Sequence, residues 1–460
     1  MRHKNKLAFI LVLCCLAVVP MLRSSTNFTS AWDEHAHLSY VQYTYNFKWP
    51  APGYPMNTWG REAFACHPHQ IYGPMAVAAC GEFGPGSEYP TGGANTADGW
   101  PPLAYTAIAN LSRPFFLFTD DALHAVRLGT ALLWSFGMLC LFGLAKQRGV
   151  RKLQSLSAIL AITALPGIGY FSSFVSPYAA LPILTAYAIW TYDWLVEKLS
   201  QGNLFDPRSL MKTAAALGFP AVAILAVPHS ISVVVAISIG LGLNLLRNIF
   251  PLKTLRLEPR SLLLGISALL FTPAAYATNR FYNSIRAWRS IDYPTDTVPD
   301  VTDVVATGHD SNWFAQARSR TWDFFPNAIN SALPVPEFFG FAATLLTLFV
   351  IAVVAARALT LMKSNDHGFF EIGILLASPI SALVYYYSLS FEAPPRYGLP
   401  LALLGFCLII VRKLPNRAIV AIVALSATLN VVAVQSDPIY IEQPCWQVGD
   451  SGYLELCESS

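Results

Sequence analysis

Two carboxylates and two imidazoles fall within one short stretch, Trp32-Asp33-Glu34-His35-Ala36-His37, directly after the first apolar segment. Side chains of these types move protons or hold cations. If residues 31–47 are helical, Asp33 and His37 lie four apart on one face, with Glu34 one position round. Such a face either binds a cation or holds an Asp as a base beside a partner that tunes it. The structural alternative is an amphipathic helix lying on a membrane, with Asp33 and Glu34 in its first turn, where carboxylates favour the helix dipole. Spacing alone does not choose between these readings, nor between Asp33 and Glu34 as the base.

Other candidates stand further along the chain. His67-Pro68-His69 supplies two imidazoles, but a third ligand has to come from elsewhere in the fold. The candidate ligands for a divalent metal are therefore His35, His37, His67 and His69. Arg127 sits inside an apolar segment, where a guanidinium is costly and calls for a role or a partner. Arg396 follows Pro394-Pro395 and precedes Tyr397, at the start of another apolar run. A guanidinium there is placed either to meet a lipid phosphate or to snorkel to the interface. Trp100-Pro101-Pro102 reads as a cover over a site or as a stiff turn with an interfacial anchor. Asp120-Asp121 reads as a helix cap, and His229, after Pro228, as a loop residue.

These residues are set among elements of a polytopic membrane protein. Of the 460 residues, 54% are hydrophobic and 12% charged, with mean hydropathy +0.45. Soluble domains carry about 25% charged residues. Apolar runs place spans near 7–22, 122–145, 156–174, 178–196, 213–227, 230–246, 261–278, 335–356, 370–389, 399–411 and 418–434. The expected fold is an all-α membrane bundle of about 11 transmembrane helices with helices in the outer loops. The membrane domain covers 1–434, including outer loops 23–121 and 279–334, and a short outer tail covers 435–460. The stretch after Trp100 is interrupted by Arg113-Pro114, which favours a helix pair dipping at the surface over a crossing.

Nine of the 10 Lys fall in the segments this arrangement places inside, Lys48 being the exception. Cys66, Cys80, Cys445 and Cys457 all fall outside, where an oxidising compartment permits disulfides, although four cysteines allow three connectivities. A net charge of +3 does not suggest nucleic acid as a partner. No Gly-rich phosphate loop with the required strand and helix context is present, so no nucleotide cofactor is expected.

In combination these motifs resemble the GT-C superfamily of integral membrane glycosyltransferases. The matching stretches are Ala31 to His37, Gly99-Trp100-Pro101-Pro102-Leu103-Ala104-Tyr105, Ala125-Val126-Arg127-Leu128, Leu165-Pro166 with Ser173 to Pro177, and Pro395-Arg396-Tyr397-Gly398-Leu399-Pro400. Within the superfamily the chain is similar to a poorly characterised bacterial family of predicted transferases. The resemblance implies a polyprenyl-phosphate-linked sugar donor and a hydroxyl acceptor on an outer glycan, lipid or protein. It implies a bacterial cytoplasmic membrane with the site on its extracytoplasmic side. Asp33 then matches the acid of the first outer loop, with Glu34 its neighbour and Arg396 a phosphate contact. His37, Trp100, Arg127 and Tyr397 join the substrate-binding set, and a divalent metal stays open. One departure stands out: the related Ser-Pro-Asp pattern is Ser176-Pro177-Tyr178 here, so any role of that acid is absent or reassigned. A lipid-linked sugar transporter and a noncatalytic assembly partner are the alternatives from other classes. Nothing in the sequence sets the oligomeric state.

Overall fold

A computed structural model describes residues 33–50, 54–69, 95–164, 171–201, 207–249, 259–289, 351–360 except 357, 369–388 and 395–411. It also describes scattered residues in 12–29 and 79–93, residue 168, and two strands at 446–448 and 454–456. Among the described residues the chain is helical, apart from turns, isolated bridges and one small hairpin.

The outer segment contributes α1 (Glu34–Tyr45), α2 (Thr58–Cys66) and α3 (Leu103–Ser112). The apolar bundle follows as α4 (Ala122–Gln147), α5 (Lys152–Ala164), α6 (Leu181–Gln201), α7 (Pro207–Ala226), α8 (Ile231–Ile249) and α9 (Pro259–Arg289). It closes with α10 (Phe369–Ser388) and α11 (Leu399–Val411). These bounds lie near the spans expected from hydropathy. The main differences are α5, which ends ten residues before 174, and α9, which runs on to Arg289.

Three described stretches are long and apolar enough to cross a bilayer, Ala122–Gln147, Ser209–Ala226 and Pro228–Leu246. Shorter apolar helices at Phe369–Ser381 and Leu399–Leu408 pack with them. These helices make the chain a membrane protein. The expected count of 11 extends into undescribed residues, including 290–350 and 412–445.

Hairpin strands β1 (Trp446–Val448) and β2 (Leu454–Leu456) pair antiparallel, Trp446 opposite Leu456. Apart from this hairpin the described elements are helical, in line with the all-α expectation, and three-residue strands are too short to show an alternating pattern in sequence. The hairpin occupies the sequence between Cys445 and Cys457, which themselves lie outside the described residues. Cys66 and Cys80 are joined by a disulfide.

The bundle is held by close helix approach and by polar side chains that find partners inside it. Asn244 Nδ2 donates to Tyr192 Oη at 3.0 Å, between α8 and α6, and Ser238 and Thr272 hydroxyls meet at 3.0 Å between α8 and α9. Proline stands inside α7, α9 and α10 at Pro220, Pro273 and Pro379, which membrane helices tolerate because neighbouring groups satisfy the released carbonyls. Polarity separates the two ends of the bundle. Lys198 at the end of α6 and Lys212 near the start of α7 both lie over the Trp194 ring, at 5.0 and 5.1 Å. Tyr178, just before α6, stands at the opposite end.

The outer helices dock on the N-terminal end of α4. Asp121 caps that helix, its Oδ1 accepting the His124 N–H at 3.2 Å, as the acidic pair suggested. Leu103–Ser112 lies against α4 and continues as a 3-10 turn, Arg113–Leu117, so this stretch forms the short helix pair expected rather than a crossing. The contact depends on Gly129: a Cβ there would collide with Ser112 Oγ and lie 3.0 Å from the Ile108 carbonyl. Gly129→Val is expected to cost about 1–3 kcal/mol by forcing the two helices apart. Thermal unfolding of the purified protein in lipid checks this, and an unchanged midpoint would remove the close approach as a constraint.

Candidate active site

Residue 33 does not continue α1 backwards. Asp33 adopts φ 43° and ψ 21°, the left-handed region, and its side chain makes no capping bond to the helix that follows. Few non-glycine residues take this conformation, and Asp is among those that tolerate it best. Its carbonyl still accepts the His37 N–H at 3.0 Å, so His37 is fixed one turn along. The turn separates two adjacent acids.

Glu34 goes inward. Arg127 Nε and Nη2 donate to its two carboxylate oxygens at 2.8 and 2.7 Å, and the Val175 N–H donates to Oε1 at 2.9 Å. Arg127 Nη1 donates to the Thr26 carbonyl at 2.6 Å, and its guanidinium lies 4.6 Å from the Phe174 ring centre. Both side chains of this pair are 0% exposed. The pair ties four segments of chain together.

Asp33 faces the other way. It lines an open-mouthed pocket of about 120 Å³ together with His37, Thr96, Ala97, Trp100, Phe171, Ser176, Tyr178 and Tyr397. Four of these nine side chains are aromatic, and Asp33 is the carboxylate among the described lining residues. Glu34 and Arg127 are not in that lining. His37 Nδ1 and Tyr105 Oη are 2.7 Å apart. Burial first, and then Tyr40 beside it, push the Tyr105 phenol well above its ordinary range, so it stays protonated. Tyr40 stacks on Tyr105 at 4.0 Å between ring centres, and both Tyr40 and Tyr282 donate to the Trp100 carbonyl, at 2.9 and 2.7 Å. The length of α9 beyond the apolar run is what brings Tyr282 to Trp100. Asn95 shapes the adjoining wall: its Oδ1 accepts the Ala97 N–H at 2.9 Å while its Nδ2 donates to Ser39 Oγ at 3.2 Å.

The four candidate metal-ligating histidines do not gather at one point among the described residues, although His35 and His69 are neighbours. His37 borders the pocket. His35 is buried against Phe64 at 4.0 Å, and its Nδ1 has no hydrogen-bond partner. Burial, and then the neighbouring His69, lower its pKa to about 3. His69 is lowered to about 4, chiefly by burial, against the pull of Asp33 and Glu34. His67 instead approaches Asp121 Oδ2 at 3.4 Å, where His124 Nδ1 lies at 2.5 Å from the same oxygen. Burial opposes ionisation of Asp121, but hydrogen bonds from His67 and His124 outweigh it and hold the carboxyl well below its usual range. No three His, Cys, Asp or Glu side chains among the described residues converge so as to hold a metal ion. No step is assigned to a metal.

Tyr397 reaches the pocket from a 3-10 turn, Pro395–Gly398, at the start of α11. The side chain of Arg396 lies outside the described set. Phe171, Ser176, Tyr178 and His229 were not singled out as site residues by sequence. The altered Ser-Pro-Tyr motif was the signal available for Tyr178, whereas His229 in its turn, Pro228–Ser230, carried none.

No protein-family model matches the chain, and no curated protein matches it. Among solved structures, the Archaeoglobus fulgidus oligosaccharyltransferase in complex with Zn and sulfate is similar at 13% identity and TM-score 0.39. The match covers 94% of this chain and 52% of the archaeal one, so the chain spans about half the length of that enzyme. A likeness at this TM-score does not decide the fold or the activity.

Two outcomes follow from the geometry. Arg127→Met leaves the Glu34 carboxylate buried without its guanidinium, at an expected cost of about 3–5 kcal/mol, while the double variant Glu34→Leu/Arg127→Met is less destabilised than the single one. A double-mutant cycle on unfolding checks it, and additive losses would show that the pair is not coupled. The second concerns acid. Above pH 6.5, the ordinary value, both histidines are neutral folded or unfolded; below it the unfolded chain takes up protons that folded His35 and His69 refuse until about 3 and 4. Stability is therefore lost as pH falls through this window, by about 2 kcal/mol per histidine near pH 5. The unfolding midpoint is expected to drop less steeply in His35→Phe than in the wild type, and identical pH slopes would count against the account.

Proposed function

We propose that the chain is a membrane glycosyltransferase moving a sugar from a polyprenyl-phosphate donor to a hydroxyl of an extracytoplasmic glycan, lipid or protein. The observation that carries this reading is Asp33: a carboxylate turned out of its helix into an aromatic-walled pocket, while the adjacent Glu34 is held in a buried ion pair. The sequence motifs shared with the GT-C superfamily support it. The pocket stands at the bundle end away from the lysine-bearing helix ends, which fits a site on the extracytoplasmic side of a bacterial cytoplasmic membrane.

The chemistry is a single displacement. Asp33 accepts the acceptor hydroxyl's proton as that oxygen forms a bond to the anomeric carbon. The bond from that carbon to the phosphate oxygen breaks, and the polyprenyl phosphate leaves with the electron pair. Arg396, beside the pocket residue Tyr397, is the guanidinium assigned to this developing charge. His37 borders the same space and orients the reacting hydroxyl, with Trp100 and Tyr397 as walls. Glu34 and Arg127 act as an internal strut that fixes where α1 begins, and so where Asp33 points. A displacement of this kind inverts the donor anomer.

The test is turnover by purified protein in lipid, offered a panel of polyprenyl-phosphate sugars and outer-envelope acceptors, with release of polyprenyl phosphate followed. Asp33→Asn is expected to lower acceptor-dependent release about 10²–10⁴-fold while the protein stays folded. Full activity in Asp33→Asn would remove Asp33 as the base. Activity lost in Glu34→Gln without loss of stability would assign that role to Glu34.

A further inference from the structure

His229 lies behind three of the pocket's aromatic walls. Its ring stacks on Tyr397 with centroids 3.6 Å apart and stands nearly perpendicular to Trp100 at 4.9 Å. Its Nδ1 is 2.7 Å from Tyr178 Oη. Tyr178 is held from the other side as well, its N–H donating to Ser176 Oγ at 3.3 Å and its ring resting 4.8 Å from Phe171. One imidazole therefore touches rings supplied by residues 100, 178 and 397, which the chain brings together from three separate regions.

We propose that these walls cradle the pyranose ring of the donor sugar, and that His229 is the positioning residue that sets the Tyr178 hydroxyl to accept a hydrogen bond from a sugar hydroxyl. The proposal rests on the glycosyl-transfer reading above and specifies its substrate subsite. A pyranose presents apolar C–H faces, which pack on the electron-rich faces of aromatic rings, and hydroxyl edges that need polar partners. Between a phenol and a neutral imidazole, the phenol is the stronger proton donor and the imidazole nitrogen the stronger acceptor. The Tyr178 proton accordingly goes to His229 Nδ1, so toward a bound sugar the phenol oxygen acts as an acceptor. Tyr178 thus supplies an acceptor without charge where the related Ser-Pro-Asp pattern has a carboxylate. Asp33 remains the carboxylate of the described lining, with no second acid competing for the acceptor's proton.

The experiment measures binding to protein in lipid nanodiscs prepared without glycoside detergents. The probes are undecaprenyl phosphate and its mannosyl, glucosyl, galactosyl and N-acetylglucosaminyl derivatives. At least one pyranosyl lipid is expected to bind the wild type about tenfold more tightly than bare undecaprenyl phosphate. That advantage is expected to vanish in Tyr178→Phe and in His229→Phe, with no further loss in the double variant. His229→Asn, which keeps an acceptor near the Nδ1 position but removes the ring, retains part of it. Purely structural packing by His229 predicts the reverse order, with Phe tolerated and Asn not. Equal binding of bare and sugar-bearing lipids by the wild type, or the reverse order of the His229 variants, overturns the proposal. Turnover measured in parallel separates it from the reading beneath it: sugar-selective binding without transfer sinks the transferase and leaves the cradle, and transfer without sugar-selective binding does the opposite.

Discussion

A guanidinium and a carboxylate shielded from solvent at the edge of an apolar bundle are stable only together, and the Glu34–Arg127 pair imposes that condition on the rest of the site. Arg127 belongs to α4, Glu34 to the first turn of α1, and the groups that complete their hydrogen bonds come from Thr26 and Val175. Four stretches of chain must therefore reach one point before either charge is satisfied. The bidentate geometry also sets the rotation of α1 about its axis. With Glu34 facing α4, the residue before it leaves the helix in a left-handed turn and presents its carboxylate elsewhere. Adjacent acids acquire opposite environments, one shielded and paired, the other bordering a cavity.

The cavity is assembled on that anchor by aromatic contacts more than by charge. Trp100 is held through its carbonyl by two tyrosines, one from α1 and one from the far end of α9, and its indole then stands against His37, Tyr178 and His229. Each ring contact contributes about 0.5–1.5 kcal/mol beyond burial, so the wall depends on the set rather than on one member. The glycine contact between α3 and α4 sets the depth at which this group sits. Two buried histidines that stay neutral, His35 and its neighbour His69, belong to the same region, His69 close enough to feel the Asp33 and Glu34 charges. In their neutral form they add no pH-dependent cost, which arises only in acid.

Composition and patterning determined a good deal of this. The apolar runs placed α4, α6, α7, α8, α10 and α11 to within a few residues, because a hydrocarbon environment requires long uncharged helices whatever their neighbours. Asp121 as a cap followed from local chemistry, whereas the pairing of Cys66 with Cys80 was one of the connectivities the sequence left open. The cluster at 33–37 was visible because four ionisable groups in one short stretch are rare in so apolar a chain. Tertiary structure decided what spacing could not: which of two adjacent acids faces the cavity, that Arg127 meets a carboxylate, that His35 and His69 are neighbours while His67 meets Asp121, and that His229 lies behind three aromatic walls. Those outcomes depend on contacts between residues dozens to hundreds of positions apart, and the direction in which a buried side chain points is set by partners that local sequence does not contain.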